Sequence, residues 1–260
     1  MLEIKDLIID FYVKENVVHA VKGIDFTVND SQTVGIVGES GSGKSVTALS
    51  IMGLLPATAK IQGQVNFKNT DLLKLNNDKM RSYRGAKIGY IFQNPLSALN
   101  PVFTIANQMV ETIILHRNVA KIEARKMAID LLDKVKIIDP HKRIDDYPHQ
   151  FSLGMCQRIM IAMTLSMQPD LLIADEPTAS LDVTTQKEIL ELMDELKELY
   201  NMAMIFISHD LGVVAERCDY VHVMYLGNIV ESGNPRDLFE NPKHDYTKKL
   251  LNAIPKIYFK

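Results

Sequence analysis

The chain has 260 residues, of which 47% are hydrophobic and 23% are charged, so it is long enough to bury a core without disulfides or bound metal. Its formal net charge of -3 gives no overall attraction to a nucleic-acid backbone, and no local basic patch indicates a nucleic-acid partner. Cys156 and Cys218 fall in no Cys-x-x-Cys or Cys/His cluster, which argues against a disulfide framework and a zinc site and favours a reducing, cytosolic setting.

The N-terminal residues include Glu3, Lys5 and Asp6, so a signal peptide is not expected there. No run of about 18 apolar residues occurs in the sequence, and a transmembrane segment is not expected either. We therefore predict that any work at a membrane is done through partner subunits.

Short alternating patterns predict strands in the first part of the chain, and we expect these strands to form an antiparallel sheet beside the core. They cover residues 2–12, 21–28, 64–68 and 88–92. Three uninterrupted apolar runs instead predict buried parallel strands. These runs are residues 33–38, 171–175 and 203–208.

A glycine-rich segment follows the first buried strand: Gly38-Glu39-Ser40-Gly41-Ser42-Gly43-Lys44-Ser45. The pattern Gly-x4-Gly-Lys-Ser between a strand and an apolar helical run, here residues 46–55, is typical of a phosphate-binding loop. Backbone N–H groups cradle phosphate oxygens, Lys44 reaches the β- and γ-phosphates, and the Ser45 hydroxyl can ligate Mg²⁺. The predicted nucleotide contacts are Gly38, Ser40, Gly41, Ser42, Gly43, Lys44, Ser45, Val46 and Thr47. The alternative, a flexible Gly/Ser linker, is disfavoured by the apolar residues on both sides.

Helices are predicted between the first two buried strands, at residues 104–116 and 121–135, with a break at Asp139-Pro140. A further helix, 183–199, is predicted between the last two, with Asp182 placed to cap its start. Its expected apolar face is Ile189, Leu190, Met193, Leu196 and Leu199. Strand, helix and strand in this order indicate an open α/β sheet.

Two carboxylates, Asp175 and Glu176, end the buried strand 171–175, at the edge where ligands bind in open α/β sheets. We expect Asp175 to hold Mg²⁺ through its water shell and Glu176 to polarise the water that attacks the γ-phosphate. His209 follows the strand 203–208, where a histidine can contact the γ-phosphate and orient that water. The alternative, that adjacent acids only solubilise a strand end, is disfavoured by the phosphate-binding loop elsewhere in the chain.

The ordered motifs resemble those of the nucleotide-binding subunits of ABC transporters over almost the whole chain. Gln93 matches the Q-loop, Phe151-Ser152-Leu153-Gly154-Met155 lies at the signature position, Ser180-Leu181-Asp182 resembles the D-loop, and His209 matches the switch histidine. Within that family, three segments of the chain resemble the peptide and nickel importer branch. These are residues 92–101, residues 147–152, and the tail His244-Asp245-Tyr246-Thr247 with Ile254-Pro255.

The resemblance implies an α/β fold with a P-loop (RecA-like) parallel-sheet core, a small antiparallel β subdomain and an inserted helical subdomain. The expected boundaries within this single ATPase domain are a core and β subdomain at 1–95 and 166–240, a helical subdomain at 96–165 and a C-terminal extension at 241–260.

The implied activity is hydrolysis of ATP with Mg²⁺, coupled to the uptake of peptides or of chelated nickel or a similar metal. Glu176, His209, Lys44 and Gln93 are the implied catalytic residues; Ser45, Gln93 and Asp175 would hold Mg²⁺, and Ser152 and Gly154 would contact nucleotide. Tyr12, or failing that Phe11, is similar in position to the aromatic residue on which the family stacks adenine.

The implied partners are a second ATPase subunit, expected to be a paralogue, and two integral-membrane permease subunits. In the implied head-to-tail dimer, each ATP lies between one phosphate-binding loop and the opposite signature. An extracytoplasmic binding protein would act indirectly, and the chain would sit at the cytoplasmic face of the cell membrane. Two alternatives remain: a soluble ABC ATPase of DNA repair or translation, and a P-loop GTPase or small-molecule kinase. The first would carry a long coiled-coil or zinc insertion or a second cassette, and the second would carry an Asn-Lys-x-Asp motif. The sequence shows none of these features.

Leu153 departs from the family pattern, which places a glycine after the signature serine. A leucine there is expected to reduce the fit to the γ-phosphate and to add backbone strain. We therefore hypothesise that the composite site using this signature, which belongs to the partner's phosphate-binding loop, is weakened. The alternative is that Leu153 is tolerated without functional effect.

Overall fold

The computed structural model of the protein describes residues 1–13 and 16–252, so the predicted tail residues Ile254 and Pro255 lie outside the described residues. The chain divides into two compact units, a first unit of Met1–Arg81 with Ala203–Lys260 and a second unit of Ser82–Met202. Within the described ranges, no helix has the length and apolar character needed to span a bilayer.

The secondary structure begins with the N-terminal part of the first unit. Its elements are β1 (Leu2–Val13), β2 (Asn16–Val28), β3 (Thr33–Val37), α1 (Lys44–Ile51), β4 (Ala59–Phe67), β5 (Thr70–Asp71) and α2 (Asn77–Arg81). The second unit follows with β6 (Ile88–Ile91), α3 (Pro95–Ala98), α4 (Ile105–Arg117), α5 (Lys121–Lys134), α6 (Pro140–Arg143), α7 (Leu153–Leu165), β7 (Leu171–Asp175) and α8 (Val183–Tyr200). The first unit is completed by β8 (Ala203–Ser208), α9 (Leu211–Arg217), β9 (Tyr220–Tyr225), β10 (Asn228–Gly233), α10 (Pro235–Glu240) and α11 (Asp245–Asn252).

An antiparallel sheet in the order β2-β1-β4-β5 forms one part of the first unit. On β1, Leu2 and Ile4 are buried, and after a register shift between Ile4 and Leu7 the buried positions continue at Leu7 and Ile9. The antiparallel sheet expected from 2–12, 21–28 and 64–68 is confirmed, although β2 and β4 begin several residues earlier than predicted.

The other strands of the first unit follow the order β10-β9-β3-β8. β3 pairs in parallel with both β8 and β9, and every residue of β3 and β8 is buried. The predicted strands 33–38 and 203–208 are thus confirmed. β9 and β10 were not predicted from the sequence, because β9 carries a histidine and β10 is short and half-buried.

In the second unit, β6 pairs in parallel with β7, with Ile88 opposite Leu171. The expectation that 88–92 joins an antiparallel sheet is therefore wrong. All four residues of β6 are buried, and Gly89 is closely packed: a Cβ there would lie 2.7 Å from Thr164 Cγ2. The strand is covered on both faces, as parallel strands are.

Helices α3 to α7 occupy residues 95–165 without an intervening strand. The predicted helices 104–116 and 121–135 are confirmed as α4 and α5. Thr104 caps α4 by accepting a hydrogen bond from the Asn107 N–H, and the expected break falls at Asp139, whose φ of 52° precedes α6. By contrast, α1 ends at Ile51, four residues before the predicted end of that helix.

Helix α8 matches the predicted helix 183–199, and the Asp182 carboxylate accepts a hydrogen bond from the Thr185 N–H at 3.0 Å. The predicted apolar face needs one correction. Leu192 is fully buried, whereas Leu199 is 61% exposed at the last turn.

Cys156 and Cys218 form no disulfide within the described residues, and both are buried. Cys156 is fully buried in α7, and burial raises the pKa of its thiol. Cys218 is buried at the end of α9.

Candidate functional site

The glycine-rich loop connects β3 to α1 in the first unit, and two of its glycines cannot carry a side chain. A Cβ at Gly38 would lie 2.1 Å from the Met224 carbonyl oxygen. Gly43 has a φ of 105°, and a Cβ there would lie 2.7 Å from the Ala20 carbonyl oxygen. Glycine at these positions therefore lets the backbone pass close to its neighbours and turn into α1.

Lys44 lies at the start of α1 and is only 5% exposed. Its ammonium donates hydrogen bonds to the carbonyl oxygens of Gly38 at 2.7 Å and Glu39 at 2.9 Å. A cation held by neutral carbonyls at the first turn of a helix is suited to receive an anion, since the helix N-terminus favours negative charge as well.

The other predicted loop contacts differ in exposure. Ser42 is buried, and its Oγ has no hydrogen-bond partner within the described residues, which suits a loop that encloses a ligand. Ser40, Gly41 and Ser45 are exposed and Val46 is half-buried. Thr47 is fully buried, and its hydroxyl donates to the Gly43 carbonyl oxygen at 2.9 Å. The Thr47 side chain thus has no exposed atom with which to contact nucleotide, so we omit it from the proposed contacts.

His209 lies at the same edge of the sheet as the loop. The last residues of β3 and β8, Val37 and Ser208, are paired in parallel, so Gly38 and His209 are the next residues along two neighbouring strands. His209 is exposed, and Asp210 follows as the cap of α9. The first unit thus places a lysine, a glycine-rich loop and an imidazole at one strand edge, where parallel sheets bind ligands.

The carboxylates of the second unit end β7. Asp175 is 7% exposed, and its Oδ2 accepts a hydrogen bond from the Tyr90 hydroxyl at 2.8 Å. Burial, together with the nearby Asp175 charge, raises the pKa of Tyr90, so this hydroxyl stays protonated and can donate. Tyr90 was not predicted from the sequence to belong to the site. The available signal was its position on β6, the strand that pairs with β7.

Glu176 and Gln93 are brought together in the second unit. The Gln93 side-chain amide donates to Glu176 Oε2 at 2.9 Å. Glu176 has a φ of 47°, a left-handed conformation that costs about 1–3 kcal/mol for a residue with a side chain and is concentrated at functional sites. Two of the predicted catalytic residues are therefore in direct contact, one of them on strained backbone.

The signature residues form the start of α7. The Ser152 side chain caps the helix by accepting from the Met155 N–H at 3.3 Å, and a Cβ at Gly154 would lie 2.6 Å from Thr185 Cγ2. Leu153 is the first residue of the helix and is not among the residues with positive φ. The backbone strain expected at Leu153 is therefore absent, and only its side-chain volume distinguishes it from glycine.

The adenine contact stays a prediction. Tyr12 is 48% exposed near the end of β1, and Phe11 beside it is half-buried. Because successive side chains of a strand point to opposite faces, only one of the two can face a nucleotide.

No group of three or more His, Cys, Asp or Glu side chains within residues 1–13 and 16–252 could hold a metal ion. The side-chain oxygens of Ser45, Asp175 and Gln93 are of the chemical type that Mg²⁺ binds when phosphates complete its shell.

Comparison with known families gives two matches. A family model described as ABC transporter matches residues 21–179. A second, described as the C-terminal region of oligopeptide/dipeptide transporters, matches residues 230–260.

Curated relatives are similar along nearly the whole chain. A probable peptide ABC transporter ATP-binding protein of Sinorhizobium fredii, y4tR, is 50% identical over 98% of this chain and 77% of its own length. The dipeptide transport ATP-binding protein DppD of Bacillus subtilis is 48% identical over 99% of this chain and 77% of its own length. The oligopeptide transport ATP-binding protein OppD of Escherichia coli is 47% identical over 99% of this chain and 76% of its own length.

Solved structures of ABC cassettes have a fold similar to that of this chain. The ATP-binding cassette MJ0796, a dimer in a post-hydrolysis state bound to ADP and Pi, has a TM-score of 0.81 and 26% identity, covering 91% of this chain and 99% of that one. CbiO1 of Clostridium perfringens, part of an ABC transporter complex, has a TM-score of 0.78 and 29% identity, covering 92% and 90% of the two chains.

Proposed function

Since the chain belongs to the ABC transporter family, we propose that it is the ATP-hydrolysing subunit of an importer and that it drives the uptake of peptides through permease subunits. The observation that carries this proposal is the glycine-rich loop with the Lys44 ammonium held by the Gly38 and Glu39 carbonyls. Peptides are favoured over nickel chelates because the relatives described above are named for peptides. A repair or translation ATPase is not favoured, since residues 230–260 match a C-terminal region of oligopeptide transporters.

In this proposal the loop amides of Gly38 and of residues 40–46 bind the phosphates of ATP, and Lys44 turns from its carbonyl partners to the β- and γ-phosphates. Ser45, Asp175 and Gln93 would hold Mg²⁺, which neutralises phosphate charge when bound. Tyr12 would stack on adenine, with Phe11 as the alternative.

The hydrolytic step is assigned to Glu176 and His209. Glu176 would polarise a water and accept its proton as the oxygen attacks the γ-phosphorus and the bond to ADP breaks. His209 would hold the γ-phosphate and orient that water. The hydrogen bond from Gln93 to Glu176 would keep the carboxylate oriented before nucleotide arrives.

The proposed assembly is a head-to-tail dimer with a second ATPase subunit, a paralogue, beneath two permease subunits at the cytoplasmic face of the membrane. Ser152 and Gly154 would then contact the nucleotide of the partner. The dimeric state of a solved relative supports this arrangement.

Replacing Lys44 tests the proposal. Lys44→Ala is expected to raise the Kd for MgATP about 10- to 100-fold, the range for losing hydrogen bonds from a charged group. It should also abolish ATP hydrolysis. The measurement is a titration of the purified full chain with a fluorescent ATP analogue, with the exposed Lys126→Ala as control. Wild-type affinity in Lys44→Ala would contradict the proposal.

A further inference from the structure

One peptide group of the phosphate-binding loop is held from both of its polar atoms. The carbonyl oxygen of the Gly38–Glu39 peptide accepts from Lys44 Nζ at 2.7 Å. The N–H of the same peptide donates to the Tyr246 hydroxyl of α11 at 2.9 Å. Tyr246 and Lys44 therefore bind the two polar atoms of the same peptide group.

Tyr246 is itself fixed in place. Its ring stacks on that of Tyr225, with centroids 4.0 Å apart and planes 25° apart, and only 7% of the residue is exposed. Burial raises the pKa of its hydroxyl, so the group stays neutral, and a neutral hydroxyl oxygen can accept the hydrogen bond from the Glu39 N–H.

The turn before α11 is anchored to β10. The Glu231 carboxylate accepts hydrogen bonds from the N–H groups of Lys243 at 2.7 Å and His244 at 3.0 Å. Burial opposes ionisation of Glu231, yet its pKa is lowered, and the hydrogen bonds from these two N–H groups contribute to that lowering. The carboxylate thus stays charged and holds the segment that carries Tyr246.

We propose that Tyr246 is a positioning residue for the phosphate-binding loop, through which α11 sets the affinity of the protein for MgATP. The inference rests on the proposed function of that loop. With the Glu39 N–H satisfied by Tyr246, the Gly38–Glu39 peptide keeps its present orientation even after Lys44 has turned to the phosphates. Without that bond the N–H must find another acceptor, and rotating the peptide would turn the carbonyl oxygen towards the phosphates, which it repels.

The effect is reciprocal, because any contact that favours nucleotide binding is itself favoured by nucleotide. Binding of MgATP is therefore expected to protect the backbone amides of α11 from hydrogen exchange, and this protection depends on the Tyr246 hydroxyl.

The experiment compares Tyr246→Phe, which keeps the stacked ring and removes the hydroxyl, with Tyr225→Phe. The Tyr225 hydroxyl makes no hydrogen bond within the described residues, so its loss is a matched control. Tyr246→Phe should raise the Kd and the KM for MgATP about 3- to 10-fold, as expected for one neutral hydrogen bond. Its kcat should change less than twofold, the exchange protection of α11 should weaken, and Tyr225→Phe should match the wild type.

Wild-type Kd and exchange protection in Tyr246→Phe would overturn the inference. Tyr246→Ala also removes the stacked ring. If Tyr246→Ala loses affinity for MgATP and Tyr246→Phe does not, the inference is likewise overturned, because Tyr246 would then act by packing alone. Lys44→Ala separates the two proposals. If Lys44→Ala loses MgATP while Tyr246→Phe binds normally, only the inference about Tyr246 fails.

Discussion

Asp175 depends on a partner that the sequence does not reveal. Its carboxylate is buried at the end of β7, and the Tyr90 hydroxyl donates to one of its oxygens. Hydrogen-bonded partners of this kind orient a carboxylate for a metal and tune its affinity. In the proposed site, Tyr90 would fix the rotamer in which Asp175 faces Mg²⁺.

Tyr90→Phe is accordingly expected to raise the Mg²⁺ concentration for half-maximal ATP hydrolysis about 10-fold, a typical effect of removing such a partner. The measurement is ATPase rate against Mg²⁺ at saturating ATP. The control is Tyr200→Phe. It removes a hydroxyl that accepts an exposed hydrogen bond from Lys134 at 3.1 Å. An unchanged Mg²⁺ dependence would show that Tyr90 does not support metal binding.

Helix α8 shows how a helical pattern can be misread at one end. Its core residues are Ile189, Leu190, Leu192, Met193 and Leu196. The expected face included Leu199, which is exposed, and omitted Leu192, which is fully buried. The buried stripe of a globular helix is broad enough to include neighbours such as Leu192 and Met193, and helix ends extend beyond the core.

The two leucines of α8 provide a matched pair. Leu192→Ala is expected to lower the free energy of unfolding by about 2–5 kcal/mol, because it removes buried methyl groups and leaves a cavity. Leu199→Ala should change it by less than about 0.5 kcal/mol, as at other exposed positions. Urea unfolding followed by circular dichroism measures both, and equal losses would mean that the assigned burial is incorrect.

At the scale of the whole molecule, the two units carry different motifs. The first unit holds the phosphate-binding loop and His209, and the second holds Gln93, the signature residues and the carboxylates of β7. Leu153 belongs to the signature. Because its backbone is helical and unstrained, it differs from the family glycine only in the volume of its side chain.

In the assembled transporter, Leu153→Gly is expected to raise ATP turnover about 2- to 10-fold. Lowering the activation free energy by about 1.4 kcal/mol corresponds to the tenfold upper limit. The physical reason is closer approach of the α7 N-terminus to the γ-phosphate of the partner's nucleotide. The rate is measured in membranes that contain both ATPase subunits and the permeases. An unchanged rate would mean that Leu153 is tolerated without effect.

The sequence predicted local features well and long-range contacts poorly. The loop around Gly38 and Gly43 was predictable because its motif encodes a backbone shape within eight residues. The parallel pairing of β6 with β7 was not, because the local pattern of a four-residue strand does not identify the strand with which it pairs. Tyr246 is 207 residues from Glu39, and a local sequence pattern cannot predict a hydrogen bond over that separation.

The burial of both cysteines has a practical consequence for spectroscopy. Thiol reagents act on exposed thiolates, and Cys156 and Cys218 are enclosed in the protein, the first with a raised pKa. A cysteine introduced on the surface, for example at Leu115 in α4, would therefore be labelled selectively in the otherwise native chain. Pairs of such labels could follow nucleotide-driven motion by distance measurement without first removing either natural thiol.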